Sequence, residues 1–272
     1  MALHGINRSA TARSWTKEEI VEKGSIIGLP VAIVGVFVGA ALKGANPVML
    51  FTNVPALLIV VVGSLGAALL SSPIKEAKFG TFSKVMKGAE FPTEATIGQM
   101  VSMTNTARTG GLLSLESEAK TIADPFFRKA VQLAVDGTDP AILRKVLRTE
   151  INAKKERHKG PQAFWTNLGV YAPTFGILGA VFGLMATMSH LDDPSKIGHG
   201  IAGAFVATFW GVFLANAVYL PASNKLKRMT ADEVAFMEMI VAGVLELQAG
   251  TSPRVMEGML QSYIKIDAEK AA

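Results

Sequence analysis

The sequence predicts an all-α, polytopic membrane protein with four transmembrane helices and an all-helical cytoplasmic domain. Three observations predict it. Half of the 272 residues are hydrophobic and 18% are charged, with a mean hydropathy of +0.35, whereas an ordinary soluble domain carries about 25% charged residues. Four apolar segments approach the ~20 residues that cross a hydrocarbon core of about 30 Å as a helix. The long polar section between the second and third segments is punctuated as helix throughout, with no period-two alternation of the kind a strand would show.

The first 23 residues read as a cytoplasmic tail ending in a short surface helix, WTKEEIVEK. They hold no apolar core followed by a cleavage site, so no removable signal peptide is expected. Residues 24–72 hold the first two spans. The first is IIGLPVAIVGVFVGAALK, in which neighbouring helices can re-satisfy the carbonyl freed by Pro30, and Gly35 and Gly39 form a small-residue face. A turn over residues 43–47 leads to the second span, at residues 54–71, with the residues before it interfacial.

Residues 73–165 form the polar, helical section. Asp124-Pro125 and Asp139-Pro140 each place a capping carboxylate before a proline at the first helical position, and Gly137 supplies the stop between them. Thr93 with Glu94 opens another helix after Pro92. In PAILRKVLRTEINAKKER the apolar residues 142, 143, 146, 147 and 151 make an amphipathic pattern.

Residues 166–222 hold the third and fourth spans, at 171–188 and 201–221, joined by the polar turn SHLDDPSKIGHG. Gly176, Gly179, Gly183 and Ala186 line one face of the third, and Ala204, Thr208, Gly211 and Ala215 one face of the fourth. Such faces let helices approach closely in lipid, so the two spans should form an antiparallel hairpin. Residues 223–272 continue from NKLKR as a helix to about residue 248, and a second helix starts at Ser252-Pro253.

Orientation follows from basic residues, which collect on the cytoplasmic side. The N-terminal tail has four, the middle section fifteen and the C-terminal tail six, while the two short turns hold only Lys43 and Lys196. Both termini and the middle section are therefore expected in the cytoplasm, with the chain in the inner membrane. The same bias accounts for the net charge of +5 without invoking nucleic acid, for which no recognition motif is present. The absence of cysteine excludes disulfides and thiolate metal sites. His4, His158, His190 and His199 show no ligand spacing, so neither a metal site nor a cofactor is expected. No nucleophile and base set or phosphate-binding loop can be assembled, so an enzyme is not expected.

An ionisable group within a span usually marks an ion path. None of the four spans contains one within its apolar run, Lys43 only closing the first, so any carboxylate on such a path must come from a partner. The polar or unusual groups are Pro30, Pro173, Thr187, Thr208, Asn216 and Pro221. By themselves they leave bland alternatives open. Thr208 can bond back to its own helix, and Pro173 and Pro221 can simply mark span ends.

Together these stretches resemble the MotA/PomA family, the A subunit of the bacterial flagellar motor stator, within the MotA/TolQ/ExbB superfamily. APTFGILGAVFGL resembles that family's third span, GAFVATFWGVFLANAVYLP its fourth, NVPALLIVVVGSLGA its second, and ARTGGLLSLE its cytoplasmic signature. These four blocks, in order, cover nearly the whole chain from about Gly24. The resemblance implies that Arg108 and Glu116 meet the rotor switch protein through complementary charges, whereas without it a plain solvated corner is the default reading of their surroundings. It implies that Pro173 and Pro221 couple the ion path to movement of the cytoplasmic domain. Thr208 would face an aspartate contributed by a MotB-like B subunit, in a ring of five A subunits around two B subunits. Sodium-driven relatives carry further hydroxyls where this chain has Ala180 and Ala207, and a hard cation needs several oxygen ligands. H⁺ is therefore the expected ion and Na⁺ the alternative. The tail before the first span is longer than in many members. Two rivals stay open: an ExbB/TolQ-like energiser, expected to have three spans, and a stand-alone channel or transporter, expected to conduct without a partner.

Overall fold

The computed structural model describes residues 23–44, 46–89, 91–189 and 191–271, with side chains as far as Tyr263 except those of Lys23 and Ser25. The surface helix expected in the N-terminal tail, together with His4 and His190, lies outside the described residues. Within them every regular element is helical and no strand occurs. Three described helices are long and apolar enough to cross a membrane, and a shorter apolar one covers Ile26–Leu42.

Helix α1 runs over Lys23–Leu42 with Pro30 inside it, and stops where Gly44 turns to φ +76°. A short helix α2, Val48–Thr52, precedes α3, Val54–Ser71, whose bounds are those expected of the second span. The break between α2 and α3 is stabilised from both sides. Asn53 Oδ1 accepts the Ala56 amide at 3.2 Å, and the Trp210 indole donates to the Leu50 carbonyl at 2.8 Å. A backbone group left bare in an apolar setting would be costly, so each such bond stabilises the interruption. Along α3 the buried residues are Ala56, Val60, Ser64 and Ala68, one stripe at four-residue spacing.

Beyond Ser71 the chain makes a tight turn, Ile74–Glu76, then α4, Thr81–Lys87, and α5, Thr93–Gly110. Gly111, at φ +76°, ends α5 and leads through the turn Leu112–Leu115 into α6, Glu116–Thr121. The two expected Asp-Pro caps are formed. Asp124 accepts the Phe127 amide at 2.7 Å and starts α7, Pro125–Val135. Asp139 accepts the amides of Ala141 and Ile142 at 2.9 and 3.3 Å. Gly137 supplies the stop between them at φ +73°.

From Pro140 the chain continues as one helix, α8, for 49 residues to Met188. The division at residues 165 and 166 thus falls inside a single rod, and Pro173 ends nothing. A third Asp-Pro cap, Asp193, opens α9, Pro194–Phe213, seven residues before the expected start of the fourth span. A π-helical turn, Leu214–Tyr219, then carries the chain straight into α10, Leu220–Gln248, so Pro221 is also internal to a helix. The π turn has an identifiable cause: proline has no N–H to return to the preceding turn, and the ladder widens just before it. Helix α11, Pro253–Ala271, completes the fold.

Helices α3, α8 and α9 pack together as one bundle around Ala56, Val60, Ala172, Val206, Ala207 and Trp210. Helix α1 lies at its edge, where Phe37 stacks on Phe51 and meets Phe209 and Phe213 edge-on. At the opposite end α5, α7, α10, α11 and the first part of α8 enclose a larger core that includes Met100, Leu115, Phe127, Leu143, Leu147, Ile151 and Met239. Of the five apolar positions expected on the amphipathic face, only 143, 147 and 151 are buried; Ile142 and Val146 stand exposed. The helical period fits either face, and α7 and α10 cover only one.

Candidate functional site

The crossing of α8 and α9 is built by glycine. A Cβ added to Gly211 would lie 2.7 Å from the Ala172 carbonyl oxygen, 3.0 Å from Gly176 Cα and 3.2 Å from Pro173 Cα. One added to Gly176 would lie 3.0 Å from the Ala207 carbonyl oxygen and 3.4 Å from Thr208 Cα. Closer to the hairpin, a Cβ on Gly183 would lie 3.0 Å from the Gly200 carbonyl oxygen. Backbone therefore runs on backbone along most of the hairpin, the arrangement that small residues permit in lipid. Pro173, Ala207 and Thr208 are brought together here.

Ala207 is fully buried, with its methyl against Gly179. The Thr208 hydroxyl donates to the Ala204 carbonyl at 3.2 Å, the self-bonded arrangement available to any helical threonine. Ala180 is half-buried on α8. Pro221 joins the same neighbourhood through its predecessor: Leu220 packs where a Cβ on Gly169 would lie 2.6 Å from the leucine side chain, one turn before Pro173. In the π turn, Asn216 Nδ2 donates back to the Val212 carbonyl at 2.9 Å.

Arg108 and Glu116 occupy a separate corner, at the end of α5 and the start of α6, and both are exposed. Ser114 locks the intervening turn by donating to the Gly111 carbonyl at 2.6 Å, and Thr106 donates to Glu118 at 3.1 Å. Lys120 donates to Glu116 at 2.9 Å, and this hydrogen bond with its charge attraction lowers the Glu116 carboxyl below its ordinary pKa. Leu115, fully buried, roots the corner in the core that also holds Leu143. From Leu143 to Pro173, α8 extends about 45 Å at 1.5 Å per residue, so one rod joins the charged corner to the glycine crossing.

Between these two places lies a polar seam that single-residue inspection did not find. Lys154, His158, Gln162 and Thr166 recur every four residues on α8 and face α10. Lys154 pairs with Glu233 at 2.6 Å, and His158 Nδ1 lies 3.1 Å from the Thr230 hydroxyl and 3.8 Å from Glu233. Gln162 donates to Thr230 at 2.8 Å, and Thr166 and Ser223 share a bond of 2.7 Å. Thr230 gives its own proton to the Leu226 carbonyl at 2.9 Å, so the histidine nitrogen facing it is the donor. Burial, with Lys154, Lys84 and Arg157 nearby, lowers the His158 pKa, and Glu233 opposes this in part. The four-residue spacing of polar groups was the available signal. Its partners lie 57 to 79 positions away along the chain.

The profile of the MotA/TolQ/ExbB proton channel family matches residues 118–239. Motility protein A of Bacillus subtilis (strain 168) is 36% identical over 247 residues, covering 90% of this chain and 91% of that protein. Chemotaxis protein PomA of Vibrio alginolyticus is 33% identical, covering 84% and 90%. A solved flagellar MotAB stator complex from Bacillus subtilis superposes with a TM-score of 0.84 at 36% identity, over 92% of this chain and all of that one. The glycine crossing, the two internal prolines and the charged corner therefore stand in a chain that belongs to the MotA/PomA family of flagellar stator A subunits.

Proposed function

We propose that this chain is the A subunit of a flagellar stator that couples proton flow across the inner membrane to rotor torque. The carrying observation is the uncharged bundle: neither residues 171–188 nor 201–221 contain an Asp, Glu, Lys, Arg or His. In a family of ion channels, such a wall leaves the titrating carboxylate to a partner, here a MotB-like B subunit with one aspartate in its single span. The chain is not an enzyme. It crosses the membrane four times, with α1 and α3 as the first two spans and the α8 and α9 hairpin as the others, both termini in the cytoplasm. Five copies surround two B subunits.

Protonating the aspartate removes a charge whose exposure to an apolar wall is costly, and that change drives one part to step against the other. The close glycine crossing gives the wall a smooth surface with Thr208 beside it. Pro173 and Pro221, internal to their helices, let the two rods bend where the ion passes. Rod α8 then carries the displacement to Arg108 and Glu116, which meet the rotor switch protein. Alanine at 180 and 207 offers no oxygen to replace the hydration shell of sodium, which favours the proton.

The test is the swimming speed of cells carrying this chain with its native B subunit as external Na⁺ and the proton gradient are varied independently. Speed that follows the proton gradient and ignores sodium is expected. Speed that needs sodium overturns the ion assignment, and no effect on motility under either condition overturns the stator assignment.

A further inference from the structure

The strap between α3 and α4 separates its side chains by chemistry. Ile74 and Phe79 are 83% and 53% exposed, and Lys75 and Lys78 beside them are also exposed. The single acid of this stretch, Glu76, is turned the other way: a Cβ on Gly160 of α8 would lie 2.5 Å from its carboxyl carbon. The outward face is thus apolar and basic, with its negative charge folded inward. Neither Lys75 nor Lys78 is in an ion pair among the described residues.

The strap is also held at a fixed depth. It begins two residues after α3 ends at Ser71, whose hydroxyl bonds to Tyr171 at 2.8 Å. Asn167 donates to Ser72 at 3.2 Å, the Trp165 indole donates to Thr81 at 2.8 Å, and Phe79 meets Phe164 edge-on at 5.3 Å. Trp165 lies 6.0 Å from Tyr219. Tyrosine and tryptophan gathered at the end of apolar helices mark the boundary between hydrocarbon and headgroups. At that level an exposed apolar residue enters the acyl boundary, and lysine stems lie along it with their ammonium groups among phosphates.

We infer that the strap over residues 73–79 is a docking surface for anionic phospholipid, with Ile74 and Phe79 seated at the acyl boundary and Lys75 and Lys78 binding headgroup phosphate. This goes beyond the proposed function and rests on its topology only in placing the strap at the cytoplasmic leaflet. Each lysine favours an anionic over a zwitterionic headgroup by roughly fivefold.

The chain has no cysteine, so Ile74→Cys gives a unique labelling site. The full stator, assembled with a cysteine-free B subunit, is placed in nanodiscs of mixed phosphatidylcholine and phosphatidylglycerol. Quenching of a fluorophore on I74C by spin-labelled versions of each lipid is then compared. Phosphatidylglycerol enriched several-fold over the bulk mixture, with the enrichment lost in K75Q/K78Q, is expected. A label on Val62, exposed on the flank of α3, should show the bulk ratio throughout. Equal quenching by both lipids, or enrichment that survives K75Q/K78Q, overturns the inference. Quenching by neither lipid places another copy or water over the strap and also overturns it. Displacement of phosphatidylglycerol by inorganic phosphate makes the site one for the free ion, with the same consequence. Labelling of I74C in intact cells by an impermeant thiol reagent would instead sink the topology, a failure distinct from all of these.

Discussion

Gly211 and Gly176 hold α9 against α8 at backbone contact, with room for a hydrogen and none for a methyl: the nearest atoms to an added Cβ at Gly211 are the Ala172 carbonyl oxygen at 2.7 Å and Gly176 Cα at 3.0 Å. Backbone on both sides cannot swing aside as a side chain can. The hairpin would have to part, and with it the neighbourhood of Pro173 and Thr208.

Gly211→Ala should therefore cost about 1–3 kcal/mol of stability in the purified complex, the usual cost of an overpacked site. Gly66→Ala, with nothing within 4 Å of its added Cβ, should be near neutral. Thermal unfolding in detergent compares the two, and an equal effect at both positions would refute the close-packing account.

Replacing Pro173 or Pro221 by Ala restores a donor to a helix that is already continuous. Each variant should assemble at normal abundance, because neither proline terminates an element. Torque, measured from tethered-cell rotation, should fall sharply if bending at these points transmits the ion step. Normal torque at normal abundance would remove both prolines from the mechanism.

At the charged corner, Arg108→Glu should impair swimming while leaving protein level and membrane insertion unchanged, since Arg108 is exposed. A reversed charge on the rotor should restore part of the speed. Loss of motility that tracks loss of the protein, with no rotor allele able to rescue it, would leave the corner as ordinary surface.

His158 predicts a pH dependence of stability. Its pKa is lowered from the ordinary 6.5, first by burial and then by neighbouring cations, so the folded chain prefers the neutral ring. Its contribution is complete above that value. As pH falls below it the unfolded chain takes up the proton first, and stability declines until the folded pKa is passed. His158→Gln, which keeps a donor for Thr230, should flatten the dependence of the unfolding midpoint on pH below about 6.5. An unchanged slope would show that other groups carry the effect.

Sequence alone determined the helical class, the bounds of α3, the caps at Asp124 and Asp139 and the stop at Gly137. Each of these is a local matter, decided by hydropathy along one continuous segment or by a side chain reaching an amide two or three residues away. Small residues on the third and fourth apolar segments also announced a close crossing.

Only the tertiary structure decided what the prolines do and which faces are covered. Pro173 and Pro221 look like ends in sequence because an isolated helix loses a hydrogen bond at proline; packing against α9 and α3, and the π turn before Pro221, let both helices continue. Ile142 and Leu143 are equally apolar, and only the position of α7 and α10 exposes the first and buries the second. The seam of Lys154, His158, Gln162 and Thr166 shows the same limit: its period was written in the sequence, but Thr230 and Glu233 reach it only because α10 returns along α8. Pairing across so many residues depends on the angle at which two long rods cross, which no local pattern carries.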